Sequence, residues 1–214
     1  MGLLLNAEPA VAPPSAWVVR WAHLVPAGAD VLDVACGNGR HLRWFHARNH
    51  PVAGVDRARD AIEQIAHLGD LRMADIEGGP WPFDGRQFGG VVVTNYLHRP
   101  LLPVLVQSVA PGGVLIYETF ATGQEQVGRP RSSAFLLQPG ELLAVVGGLQ
   151  VVAFEDGWLP SPDRRVQRIA AVRSGAGPAA HGNPRLAADS IPSAAARNPA
   201  GSARVPGLPP AAGR

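Results

Sequence analysis

Three carboxylates stand at the ends of three successive apolar runs in the first part of the sequence: Asp33 after Val31-Leu32, Asp56 after Val52-Ala53-Gly54-Val55, and Asp75 after Met73-Ala74. Asp33 leads into Val34-Ala35-Cys36-Gly37-Asn38-Gly39, where two glycines allow unusual backbone dihedrals and the close approach of a ligand. A helical pattern from Arg40 aims its free N–H groups at the same place. Together these residues suit a ligand that carries an ammonium, a carboxylate and a nucleoside. Asp33 can take up the ammonium, directly or through water, while the loop amides receive the carboxylate. Asp56 can accept both ribose hydroxyls bidentately. Asp75 is placed to meet an adenine amino group.

The elements that must position these groups follow from the apolar spacing. Continuous Val/Leu/Ile runs predict strands over Val31–Val34, Val52–Val55, Leu71–Ala74, Gly90–Thr94, Val114–Tyr117, Leu149–Phe154 and Val166–Val172. Helical patterns lie over Ala16–Leu24, Arg40–Ala47, Ala58–Leu68, Leu101–Val109 and Pro139–Val146. Buried runs alternating with helices imply a parallel sheet covered on both faces. Only a loop, Glu155–Arg165, separates the last two runs, which suits an antiparallel hairpin at the sheet edge. In such a sheet ligands sit beyond the carboxyl ends of the strands, which is where the glycine loop falls. A nicotinamide site would continue to a third glycine, but Gly37-Asn38-Gly39 runs on as Arg40-His41-Leu42, and Asp33 would repel a pyrophosphate. S-adenosylmethionine has an ammonium, a carboxylate and a sulfonium, and no phosphate.

At these residues the chain resembles the class I S-adenosylmethionine-dependent methyltransferases. The matching pieces are VLDVACGNGR, VAGVDRA, MADIEGGPWPF, FGGVVVTNYLHR and VAPGGVLIYETF, spread in order from about Ala16 to Arg173. The resemblance implies an α/β, Rossmann-like, doubly wound and mostly parallel seven-stranded sheet with an antiparallel last strand. It implies that Asp33, Gly37 and Gly39 frame the methionine portion, that Asp56 holds the ribose, that Asp75 and Ile76 border adenine, and that Ala35, Asn38 and Arg57 also contact the cofactor. Asn95 and Tyr96 would line the methyl-bearing end. Methyl transfer with S-adenosylmethionine as cofactor is the expected activity, to an unidentified and small-molecule acceptor. A non-catalytic protein that binds or senses the cofactor is the alternative, with a nicotinamide oxidoreductase behind it.

Two further groups sit where an acceptor would arrive. His98, after Thr94-Asn95-Tyr96-Leu97, can act as a base if the acceptor comes protonated, or can be a loop histidine bonded to backbone. The long connection after the fifth strand carries Arg129 and Arg131, which can grip an anionic acceptor bidentately or remain solvated. That connection and the Phe135–Leu143 stretch are similar to the small-molecule and tellurite-resistance-like branch of the family. Trp81 is expected to pack over the sheet edge, and Cys36 to be a small packing residue. His41, His46 and His50 read as solvated helix histidines, so no metal is expected.

Composition bounds the remaining possibilities. All 19 basic residues are arginine, which excludes Schiff-base chemistry and a lysine-dependent P-loop. The formal charge of +2 supplies no field for nucleic acid or an anionic membrane. A lone cysteine makes no internal disulfide, the N-terminus lacks a signal-peptide pattern, and Asn6 stands where a myristoylation motif needs Ser or Thr. A cytoplasmic protein without a membrane partner is expected. Residues 1–173 read as the methyltransferase domain and 174–214, rich in Ala, Pro, Gly and Arg without an aromatic, as a disordered tail.

Overall fold

The computed structural model describes residues 12–175. The N-terminal segment weighed for targeting and almost all of the tail expected from residue 174 lie outside the described residues. Seven strands form one sheet: β1 (Val31–Val34), β2 (Val52–Asp56), β3 (Asp70–Met73), β4 (Phe88–Thr94), β5 (Val109–Phe120), β6 (Gln150–Leu159) and β7 (Arg164–Val172). Their order is β3-β2-β1-β4-β5-β7-β6, with β7 antiparallel to both neighbours and the other pairs parallel. This is the doubly wound, Rossmann-like sheet with a reversed last strand.

Alternation along each strand sends side chains to two separate cores. Leu32, Val34, Val55, Val91, Val93 and Leu115 pack under α4 (Leu102–Gln107) and α5 (Glu141–Val145). Val31, Val52, Val92 and Ile116 pack on the other face under α1 (Ala16–Trp21), α2 (Arg40–His46) and α3 (Arg59–Ile65). Each helix presents an apolar stripe at helical spacing, such as Leu42 and Phe45 of α2 or Ala61, Ile62 and Ile65 of α3. The indole of Trp17 in α1 is fully buried and donates to the Ile169 carbonyl at 3.2 Å, which fastens the N-terminal helix to β7.

The strand cores agree with the sequence reading, but two elements run longer than expected. β5 begins at Val109, because Ala110-Pro111-Gly112-Gly113 continues the strand through a bulge in which Gly112 donates to the Arg173 carbonyl. The hairpin extends to Leu159 and restarts at Arg164, through residues that were expected to be loop. Its outer half is held by polar cross-strand pairs, with Glu155 directly opposite Arg168 and the two side chains ion-paired. Such residues do not announce a strand by hydrophobic run.

Candidate active site

A cavity of about 350 Å³ opens beyond the carboxyl ends of β1 to β5, where the winding reverses between β1 and β4. Ala35 follows β1, Asp56 ends β2 and Arg57 follows it, and Ala74-Asp75-Ile76-Glu77 leaves β3. Asn95-Tyr96-Leu97 leaves β4, and Thr119 and Phe120 end β5. Pro130 and Phe135 from the following connection complete the wall. Ala35 and Asn95 both hold positive φ, 54° and 56°, in the two turns that flank the reversal. Such turns cost energy, and they tend to occur at binding sites.

Asp56 ties the glycine loop to the cavity. One carboxylate oxygen accepts from the Gly37 amide at 2.8 Å and the other from the Ala58 amide at 2.9 Å. Each oxygen keeps a lone pair for a ligand hydroxyl. Asp75 accepts from the Glu77 and Gly78 amides, and these bonds, with Arg57 and His98 nearby, hold its carboxyl below the usual range. The Tyr96 hydroxyl is buried without a hydrogen-bond partner among the described residues. Burial first, and then the Glu77 carboxylate, push its ionisation upward, so it stands as a neutral group facing acids.

Of the residues singled out from the sequence, Ala35, Asp56, Arg57, Asp75, Ile76, Asn95 and Tyr96 meet in this cavity. Asp33 does not join them. Its side chain points to the α2 face, is 1% exposed, and accepts from Nδ1 of His41 at 3.3 Å. Nε2 of His41 in turn accepts from the Ser15 amide at 3.2 Å, so the network fixes the tautomer with the proton on Nδ1. The expectation that His41 is solvated is therefore wrong: it is 1% exposed and locks Asp33 to the start of α1. The same serine donates its hydroxyl to Glu118, which Arg168 also binds.

Gly37, Asn38 and Gly39 form the turn beside the cavity but are not part of its lining. His98 also lies outside the lining, as do Arg129 and Arg131, which face a neighbouring groove. Cys36 is buried, and its thiol is pushed upward first by burial and then by Asp33 and Asp56, which leaves it protonated and inert. Trp81 packs edge-on against Phe83 and away from the cavity. Sequence reasoning did not pick out Glu77, Leu97 or Phe135 as lining. Glu77 had a signal in its place two residues after a strand-end acid, whereas Phe135 had none, since it arrives from a distant loop.

The lining suits S-adenosylmethionine. A carboxylate with spare acceptor capacity ends β2, Tyr96 lines the opposite strand end, and apolar Ala74, Ile76, Leu97 and Phe120 complete the wall. A Cβ on Gly37 would meet nothing within 4 Å, so the loop leaves open space for a ligand. Among the described residues no group of three His, Cys, Asp or Glu side chains is placed to hold a metal, and no helix is long and apolar enough to cross a membrane.

Residues 31–113 match the sequence profile of the methyltransferase domain family. A dTDP-4-amino-2,3,4,6-tetradeoxy-D-glucose N,N-dimethyltransferase of Saccharopolyspora spinosa is 32% identical over 114 residues, covering 44% of this chain and 41% of its own. A malonyl-[acyl-carrier protein] O-methyltransferase of Serratia marcescens is 31% identical over 107 residues, covering 46% of this chain and 41% of its own. The chain thus spans less than half the length of these curated relatives. The crystal structure of TehB from Haemophilus influenzae superposes with a TM-score of 0.60 at 17% identity, over 73% of this chain and 61% of that one. By that profile over residues 31–113 and by its strand order, the chain is similar to the class I S-adenosylmethionine-dependent methyltransferases and shares their fold.

Proposed function

We propose that this chain binds S-adenosylmethionine in the cavity at the carboxyl ends of β1 to β5 and directs its methyl group to a small-molecule acceptor. One observation carries the reading: Asp56, Asp75 and Tyr96 converge, from three separate strand ends, on one cavity of matching size. The cofactor, when bound, supplies a methyl group on a sulfonium leaving group. Asp56 accepts the ribose hydroxyls. Asp75 and Ile76 border the adenine, and Asn95 and Tyr96 flank the approach of the acceptor. Phe120 and Phe135 exclude water.

The acceptor's lone pair forms the new bond to carbon as the carbon–sulfur bond breaks and its electrons pass to sulfur. The chain's contribution is chiefly to hold the two partners in line. With His98 outside the lining, an acceptor that arrives already deprotonated or as a neutral amine suits this site best. The Saccharopolyspora relative is named for an amino sugar nucleotide and the Serratia relative for a carrier-bound malonyl group, so relatives of this chain act on nitrogen and on oxygen.

Calorimetric titration with S-adenosylmethionine and S-adenosylhomocysteine tests the reading. Both are expected to bind in the micromolar range, and Asp56→Ala should weaken them by about 1–3 kcal/mol through loss of charge-assisted hydrogen bonds. Binding of both, without turnover on a broad acceptor panel, would leave a binding or sensing protein. Protection by NADH alone would replace the reading with an oxidoreductase.

A further inference from the structure

A second cavity, of about 590 Å³, adjoins the first, and the two share Phe120, Pro130 and Phe135 as a common wall. Arg129, Arg131 and Ser132 complete its lining. Among the described residues neither guanidinium makes an ion pair or a hydrogen bond, whereas Arg72, Arg86, Arg99, Arg165 and Arg168 all find carboxylates. The loop that carries the pair is nonetheless held. Gln124 is 4% exposed, and its amide donates to the Arg129 carbonyl at 3.1 Å while its oxygen accepts from the Arg165 amide at 2.8 Å. Farther along, Arg99 donates to the Ala134 and Leu136 carbonyls, both at 2.9 Å, and so brackets Phe135.

Charge is divided across the shared wall. Asp56, Asp75 and Glu77 line the first cavity against one arginine, Arg57, whereas the second holds two unpaired arginines and no acid. A positively charged cofactor is matched to the acidic side, and the basic side is then matched to an anion. Phe135, about half exposed, offers an apolar ledge between them.

We propose that this groove is the acceptor's seat, and that the acceptor is an organic anion, a carboxylate or a phosphate ester. Arg129 and Arg131 grip its charged group, and its apolar segment lies along Phe120 and Phe135. Its nucleophilic atom then reaches over the shared wall into the first cavity. This inference rests on the cofactor reading of that cavity. Guanidinium pairs recognise carboxylate and phosphate alike, because both offer two parallel acceptor oxygens.

Phenyl phosphate, phenylacetate and neutral benzyl alcohol, titrated into the full chain saturated with S-adenosylhomocysteine, test it. At least one anion should bind about tenfold or more tightly than benzyl alcohol, and added salt should weaken only the anions. The Arg129→Gln/Arg131→Gln double variant should lose about tenfold in anion affinity while its S-adenosylhomocysteine affinity stays unchanged. Whichever anion binds more tightly tells the carboxylate source from the phosphate source. Equal binding of anions and alcohol, or an unaltered anion affinity in the double variant, would overturn the proposal. Failure of the unaltered chain to bind S-adenosylhomocysteine would instead overturn the cofactor reading, and titration of the unloaded chain would then judge the groove alone.

Discussion

Gly37 and Gly39 both hold positive φ, +50° and +70°, yet a methyl group added to each would meet different surroundings. At Gly37 it enters open space, and at Gly39 it falls 2.9 Å from Cδ1 of the buried Ile65. Gly39→Ala is therefore expected to cost about 2–3 kcal/mol from backbone strain plus crowding, and Gly37→Ala only about 1 kcal/mol from strain. Gly37→Ala should lose cofactor affinity out of proportion to its small stability loss. Chemical denaturation beside calorimetry separates the two effects, and equal destabilisation would refute the contrast. His41→Ala leaves the Asp33 carboxylate buried and without its side-chain partner, which is expected to cost about 3 kcal/mol in the same denaturation experiment. A loss under about 1 kcal/mol would mean that the pair is not what fixes α2 and the start of α1. Asp33 shows where the sequence stops being informative. Its place at a strand end was legible, but a strand buried on both faces reads as one continuous run. Nothing in Val31-Leu32-Asp33-Val34 says which face the acid takes.

The connection between β5 and α5 is braced by a charge pair whose strength follows pH. Burial alone would raise the Glu141 carboxyl, but two hydrogen bonds from Arg99, at 2.8 and 2.9 Å, and one from the Gln138 amide outweigh it and hold the group below its usual range. A carboxyl held low in the folded state lends stability that is complete above its unfolded value and drains away as pH falls through the folded one. Arg99 is 38% exposed, so screening limits the gain, and Arg99→Gln is expected to cost about 1 kcal/mol at neutral pH. Thermal unfolding of both proteins should show that difference shrinking below about pH 4.5, as Glu141 protonates. A gap independent of pH would mean that the carbonyl bonds of Arg99 alone carry the effect. Strands and helices of this kind were legible because Val, Leu and Ile repeat at their own periods. The brace was not, since Arg99 and Glu141 lie 42 residues apart and each looks solvated in isolation.

Across the whole molecule the two sheet faces are unequal in purpose. The face under α1, α2 and α3 holds the buried Asp33–His41–Ser15 chain, and the strand ends hold the acids that meet the cavity. The acceptor groove is added by one connection and leaves both cores untouched. The parallel sheet and its antiparallel closing hairpin were readable from the sequence, because apolar runs alternate with helical patterns until a loop alone joins the last two. The acceptor side was not, because it is assembled from a loop with no periodicity. The order β5-β7-β6 has a consequence for how the chain is made. β6 is synthesised before β7 but can join the sheet only through it, so the edge of β5 stays open until Arg164–Val172 has left the ribosome. A nascent chain that stalls before Arg164 lacks the pairing of two strands at once, and it presents the apolar edge of β5 to chaperones and to its own kind.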